Sequence, residues 1–125
     1  MNDYKSPVIL VVDDEEDLRE SLAEILELEG LQVLQAQDGY VAVEKAKANM
    51  FDIALIDIKM PGMNGLETLN QVKSLQPHIK AIMMTGHPME STRSNLVKGI
   101  HGILQKPFSI AKLLSMIQQI TCVLA

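Results

Sequence analysis

The sequence predicts an α/β fold in which a parallel sheet carries helices on both faces. Apolar runs alternate with helix-periodic stretches from one end of the chain to the other, and the links between them are short. The runs at residues 7–12 and 53–56 are unbroken rather than alternating, which is the pattern of strands buried on both sides. Strands that alternate with helices through short links require parallel pairing and right-handed crossovers.

The elements follow in order. Pro7 to Val12 reads as the first strand. Leu18, Leu22, Ile25 and Leu26 then fall on one side of a helix with Glu20, Glu24 and Glu27 opposite, and Gly30 supplies the stop. Gln32 to Ala36 is a short second strand, Asp38-Gly39 a turn signal, and Val41 to Ala48 a short, Ala-rich helix. Ile53 to Ile56 is the third strand and ends in Asp57. A loop with Pro61, Gly62, Asn64 and Gly65 leads into a third helix marked by Leu66, Leu69, Val72 and Leu75 and closed by Pro77. Ala81 to Met84 is a fourth strand ending at Thr85, followed by a fourth helix from about Met89 to Val97. Ile103 to Gln105 is the fifth strand, ending at Lys106-Pro107. Ser109 is placed to cap a last helix carrying Ile110, Leu113, Leu114, Ile117 and Ile120.

A chain of 125 residues fits one domain and buries roughly two-thirds of its unfolded surface, enough for a core without staples. That core must be aliphatic, since 47% of residues are hydrophobic and 3% aromatic. The single cysteine, Cys122, cannot form an internal disulfide, which suits a reducing compartment. Asp3, Lys5 and Pro7 precede a short apolar run ended by Asp13, unlike a signal peptide, and no apolar stretch approaches the roughly 20 residues that cross a bilayer. A cytoplasmic protein is expected. A net charge of −5 argues against a broad nucleic-acid surface.

In sheets of this kind the functional crevice lies beyond the carboxyl ends of the strands. The first strand ends in Asp13-Asp14, the third in Asp57, the fourth in Thr85 and the fifth in Lys106. Taken singly, Asp13-Asp14 reads as a helix cap, Thr85 as a turn residue and Lys106 as a solvated charge. Four apolar strands all ending this way point instead to one shared pocket. Carboxylates gathered within a few ångströms repel, and a hard divalent cation offsets their charge. Oxygen donors without His or Cys favour Mg²⁺, or Mn²⁺, over zinc. Asp57 is then a candidate nucleophile for a phosphoryl group, with the cation, Lys106 and Thr85 each taking one of its oxygens.

The ordered set resembles the receiver domain of bacterial two-component response regulators over essentially the whole chain. It consists of Val11-Val12-Asp13-Asp14-Glu15, Asp57-Ile58-Lys59-Met60-Pro61-Gly62-Met63-Asn64-Gly65, Thr85-Gly86 and Lys106-Pro107-Phe108. The resemblance implies a doubly wound (βα)5 flavodoxin-like fold with strand order 2-1-3-4-5 and five helices. It implies phosphorylation of Asp57 by a phosphohistidine on a sensor histidine kinase or phosphotransfer protein. Direct Mg²⁺ ligation would come from Asp14, Asp57 and the backbone carbonyl of Lys59, with water-mediated support from Asp13. It further implies that phosphate draws in Thr85 and pairs with Lys106, moving the face of helix 4, strand 5 and helix 5. Effectors or dimer mates bind there, and Leu96, Val97, Ile100 and Ile103 are its candidate residues.

The chain departs from the family pattern at three places. Ile103 stands where a rotating Tyr or Phe is common, and is expected either to pack inward or to join an apolar output patch. His101 and Gly102 replace the usual acidic or polar residues before it. Lys59 and His87 occupy positions that tune dephosphorylation in the family. His78, His87 and His101 lack metal-ligand spacing, and Met60 and Met63 are expected to pack rather than ligate.

Rival functions fit the residues less well. A Mg²⁺-dependent aspartyl phosphohydrolase would place a general-acid Asp two residues after the nucleophile, where Lys59 stands. A phosphorylation-independent interaction module would not need Asp13, Asp14, Asp57, Thr85 and Lys106 together. The domain expectation is a single receiver over residues 1–125 with no output domain. Because Thr121 to Ala125 carries no helix-terminating Gly or Pro, the same residues could stand alone or open a longer regulator.

Overall fold

The computed structural model describes residues 6–86 and 100–124. Five strands, β1 (Val8–Val12), β2 (Gln32–Ala36), β3 (Ile53–Asp57), β4 (Lys80–Thr85) and β5 (Ile100–Gln105), pair in parallel in the order β2-β1-β3-β4-β5. The described helices are α1 (Glu16–Leu28), α2 (Gly39–Ala48), α3 (Gly65–Leu75) and a C-terminal helix (Ile110–Leu124). The doubly wound fold and its strand order are those the sequence predicts. The expected fourth helix, with His87, Leu96 and Val97, lies outside the described residues.

Strand alternation divides the interior into two cores. Leu10, Val12, Ala54, Ile56, Ala81 and Met83 face α2 and α3, packing with Ala42, Ala46, Leu69 and Val72. Ile9, Val11, Ile53, Leu55, Ile82 and Met84 face the other way, against Leu22 and Leu26 of α1 and Leu113 and Ile117 of the C-terminal helix. Each fully buried aliphatic side chain contributes about 1.5–3 kcal/mol, so the central strands are locked in register from both sides. A one-residue slip would exchange the two cores.

Local signals set the boundaries. Asp38 does more than turn the chain. Its carboxylate accepts from the Val41 N–H at 2.8 Å, so α2 begins at Gly39, two residues before the expected start. Asn64 and Glu67 form a reciprocal capping box at the start of α3, at 2.9 and 3.0 Å. The Ser109 hydroxyl accepts from the Lys112 N–H at 3.1 Å, as expected of a cap. Gly30 follows α1 with φ +93°, a conformation that disfavours a Cβ.

Leu75 ends α3 with 44% of its surface exposed. One expectation needs correction. β5 starts at Ile100 rather than Ile103: the register moves from Ala81–Ile100 to Ile82–Gly102, leaving His101 as the extra residue of a bulge. A Cβ at Gly102 would meet the methyl at the flexible end of Met116, which can move aside. Ile103 pairs with Met83 and is half-buried, intermediate between the two placements expected of it.

Candidate functional site

Ladder hydrogen bonds carry the polar residues to one edge of the sheet. The Asp13 N–H donates to Ala36 at 3.1 Å, extending the β1–β2 pairing one residue past the strand. Asp57 closes β3 opposite Met84, and the next amide, Ile58, donates to the Met84 carbonyl at 2.9 Å. The Lys106 N–H donates to the Thr85 carbonyl at 2.7 Å. Thr85 is thereby held one residue beyond Asp57's register partner and is 4% exposed.

Asp13, Asp14 and Asp57 converge, each offering one carboxylate oxygen within 4.8 Å of the other two. Asp13 and Asp57 are buried and Asp14 is exposed. The Lys106 ammonium sits among them, 3.0 Å from Asp13 Oδ2, 3.3 Å from Asp57 Oδ2 and 4.0 Å from Glu15 Oε1. The Lys59 N–H approaches Asp57 Oδ1 at 3.4 Å, the long limit of a hydrogen bond. Asp13 Oδ1 accepts from the Glu15 N–H at 2.9 Å, whereas α1 itself has no side-chain cap. Asp13 therefore does not take the helix-capping role that was its ordinary reading.

Burial raises the pKa of the Asp57 carboxyl above its ordinary value; Lys106 works against this, and the charge of Asp13 adds to it. Burial pulls the Lys106 ammonium the other way, but the hydrogen bond and charge of Asp13, helped by Asp57, leave it above its ordinary value. Asp13 and Asp57 share the Lys106 ammonium, Asp14 adds a third carboxylate to the cluster, and burial makes Asp57 resist ionisation. That charge surplus, an all-oxygen donor set and one exposed ligand open to water together fit a hard divalent cation. Met60 and Met63 are buried in packing, as expected.

Comparison with known proteins decides the family. Residues 9–118 match the response regulator receiver domain. The chain belongs to that family. It is 36% identical over 106 residues to the autoinducer 1 sensor kinase/phosphatase LuxN of Vibrio campbellii, a match covering 85% of this chain and 12% of that protein. The receiver domain protein (CheY-like) of Methanospirillum hungatei superposes with a TM-score of 0.85 at 34% identity, covering 92% of this chain and 93% of the other. The response regulator TrrA of Thermotoga maritima, solved with Mg²⁺-BeF, gives a TM-score of 0.81 at 31% identity, covering 91% and 98%. As a receiver domain the chain is a two-component signalling module, of a family that works with sensor kinases and effector domains. No helix among the described residues is long and apolar enough to cross a membrane.

Some of the site was invisible to motif reading. Arg19 donates from Nη1 to the Asp13 carbonyl and from Nε to Gln35 Oε1, both at 3.0 Å, yet nothing in its spacing flags it. A Cβ on Gly65 would collide with the Asp57 carbonyl oxygen, so this glycine lets α3 start against the strand end. The Asn64-x-x-Glu67 pattern was a readable signal for that helix start.

Proposed function

We propose that Asp57 accepts a phosphoryl group from a phosphohistidine of a sensor histidine kinase or phosphotransfer protein. The observation that carries this reading is the meeting of Asp13, Asp14 and Asp57 within 4.8 Å, with the Lys106 ammonium on Asp13 and Asp57. A carboxylate oxygen of Asp57 attacks phosphorus, the P–N bond to the donor imidazole breaks, and the imidazole leaves to take a proton. Asp14, Asp57 and the Lys59 carbonyl would hold Mg²⁺ directly, or Mn²⁺ in its place, with Asp13 supporting through water. The bound cation supplies positive charge to a phosphoryl oxygen and offsets the carboxylate repulsion. Lys106 neutralises a second oxygen, and the Thr85 hydroxyl takes the third.

The added phosphate brings about −2 charge and strong acceptors to the edge where β4 and β5 end. The signal then passes to the face containing helix 4, β5 and the C-terminal helix, where an effector or a second copy docks. The reading is of a single receiver domain over residues 1–125, acting in the cytoplasm without binding nucleic acid or membrane itself. Its own chemistry is confined to phosphotransfer onto Asp57 and loss of that phosphate. The chain spans 12% of the LuxN relative, and any larger activity belongs to this proposal only through a partner or attached effector.

Incubation with acetyl phosphate should give a phosphate adduct in the intact mass that requires Mg²⁺ and is absent from Asp57→Asn. Beryllofluoride should shift amide resonances as far as β5 and the C-terminal helix. Mg²⁺ binding without either response would favour a phosphorylation-independent module, and turnover of p-nitrophenyl phosphate that Asp57→Asn abolishes would favour a phosphohydrolase.

A further inference from the structure

We propose that Arg19 is a positioning residue that clamps the Asp13–Asp14 turn and so sets the metal affinity of the site. The inference rests on the reading of Asp13, Asp14 and Asp57 as metal-holding residues. Asp14 is exposed, so packing does not fix its direction. Its placement depends on the peptide that precedes it, and that peptide is a rigid plane carrying the Asp13 carbonyl.

Arg19 holds that carbonyl. Its Nη1 donates to the Asp13 oxygen at 3.0 Å, while Nε donates to Gln35 on β2 at 3.0 Å. The Asp13 N–H is tied to Ala36, the neighbour of Gln35, at 3.1 Å. Both peptide planes flanking Asp13 are therefore anchored to β2, one through the backbone and one through the guanidinium. The clamp matters because α1 has no side-chain cap at its start and the turn is held locally by the Glu15 N–H on Asp13 Oδ1. Arg19, one turn into α1, adds the tie from that turn to β2. Its planar fork makes two bonds at once, which a lysine cannot reproduce.

Charge and clamp predict opposite signs. A guanidinium near a cation site repels the cation, so a purely electrostatic Arg19 would weaken Mg²⁺ binding, and its removal would tighten it. A clamp orders a ligand, so its removal weakens binding even though a positive charge is lost. Second-layer partners of metal ligands commonly contribute tenfold or more to affinity.

The test is Mg²⁺ titration of wild type, Arg19→Met and Arg19→Lys, with unfolding in EDTA as a check that each variant folds. The clamp predicts about tenfold weaker Mg²⁺ binding in Arg19→Met, and weakening at least as large in Arg19→Lys, which keeps the charge without the fork. Tighter binding in Arg19→Met with an unchanged Arg19→Lys, or no change in either, overturns the proposal. Amide exchange at Glu15 in EDTA gives a readout independent of metal, because that N–H is held by Asp13 Oδ1. Both variants should exchange faster there, and unchanged exchange also overturns the clamp. Wild type that binds no Mg²⁺ would instead refute the metal reading, leaving the exchange result to decide on the clamp.

Discussion

The two edges of the sheet handle buried polar groups in opposite ways. At the amino edge the Gln76 side chain, 3% exposed, accepts from the Phe51 N–H at 2.8 Å and donates to the Ala46 and Asn49 carbonyls at 2.9 and 2.6 Å. Asp52 nearby accepts from the Val8 N–H at 2.8 Å, and a His78 ring nitrogen lies 3.1 Å from the Phe51 carbonyl. Each charge or dipole there meets a complementary one. At the carboxyl edge Asp13 and Asp57 share one ammonium with Asp14 close by, and burial leaves Asp57 reluctant to ionise. One edge is completed by the protein's own groups. The other keeps a surplus of carboxylate that a bound cation would offset, which is how a candidate binding site differs from a structural network.

Substitutions of the polar side chains at the two edges should therefore differ in sign. The largest effect is expected at the amino edge. Gln76→Ala removes three hydrogen bonds, two of them buried, and leaves their partners unsatisfied, destabilising the fold by about 3 kcal/mol in urea unfolding. A loss below about 0.5 kcal/mol would mean that water replaces the amide, and the contrast between the edges would weaken. Next comes Gly65→Ala, which forces α3 away from the Asp57 carbonyl. It should lose about 2 kcal/mol and also slow phosphorylation by acetyl phosphate, linking stability to site geometry.

At the carboxyl edge the sign should reverse. In EDTA at neutral pH, Asp57→Asn removes a charge that the fold disfavours, while Lys106 keeps Asp13 as a partner. A gain of about 1 kcal/mol is expected. Mg²⁺ should stabilise wild type by about 2.7 kcal/mol at a hundred times its dissociation constant and Asp57→Asn by much less, as read from thermal unfolding.

The smallest effect is the pH dependence of that gain. Because the folded-state pKa of Asp57 lies above its ordinary value of 3.8, its charge destabilises the native state above that folded pKa. The penalty fades as pH falls through the folded pKa toward 3.8. The advantage of Asp57→Asn in EDTA should shrink over the same interval, and an advantage that grew on acidification would contradict the assignment.

Much of this contrast was legible in the residues, and the rest had a physical reason to be hidden. The unbroken apolar runs of β1 and β3 announced strands buried on both faces, and the polar residues ending them announced the site edge. Gln76 was not legible: a glutamine before a proline looks like a loop residue, and only the return of α2 and β3 past the end of α3 buries it. Asp38 and Asn64 carried readable cap chemistry, whereas the extra residues of β5 depended on a bulge that only pairing with β4 reveals.

By itself the sequence determined the parallel α/β fold, the strand ends that would carry chemistry and the family resemblance, because patterning and residue type are local properties. Tertiary structure decided that Asp13 is buried while Asp14 is exposed, that Lys106 bonds Asp13 at 3.0 Å and Asp57 at 3.3 Å, and that Arg19 holds the turn between them. Those outcomes depend on crossovers and register, which bring together residues as far apart as 13 and 106 and leave no mark on the local sequence of either.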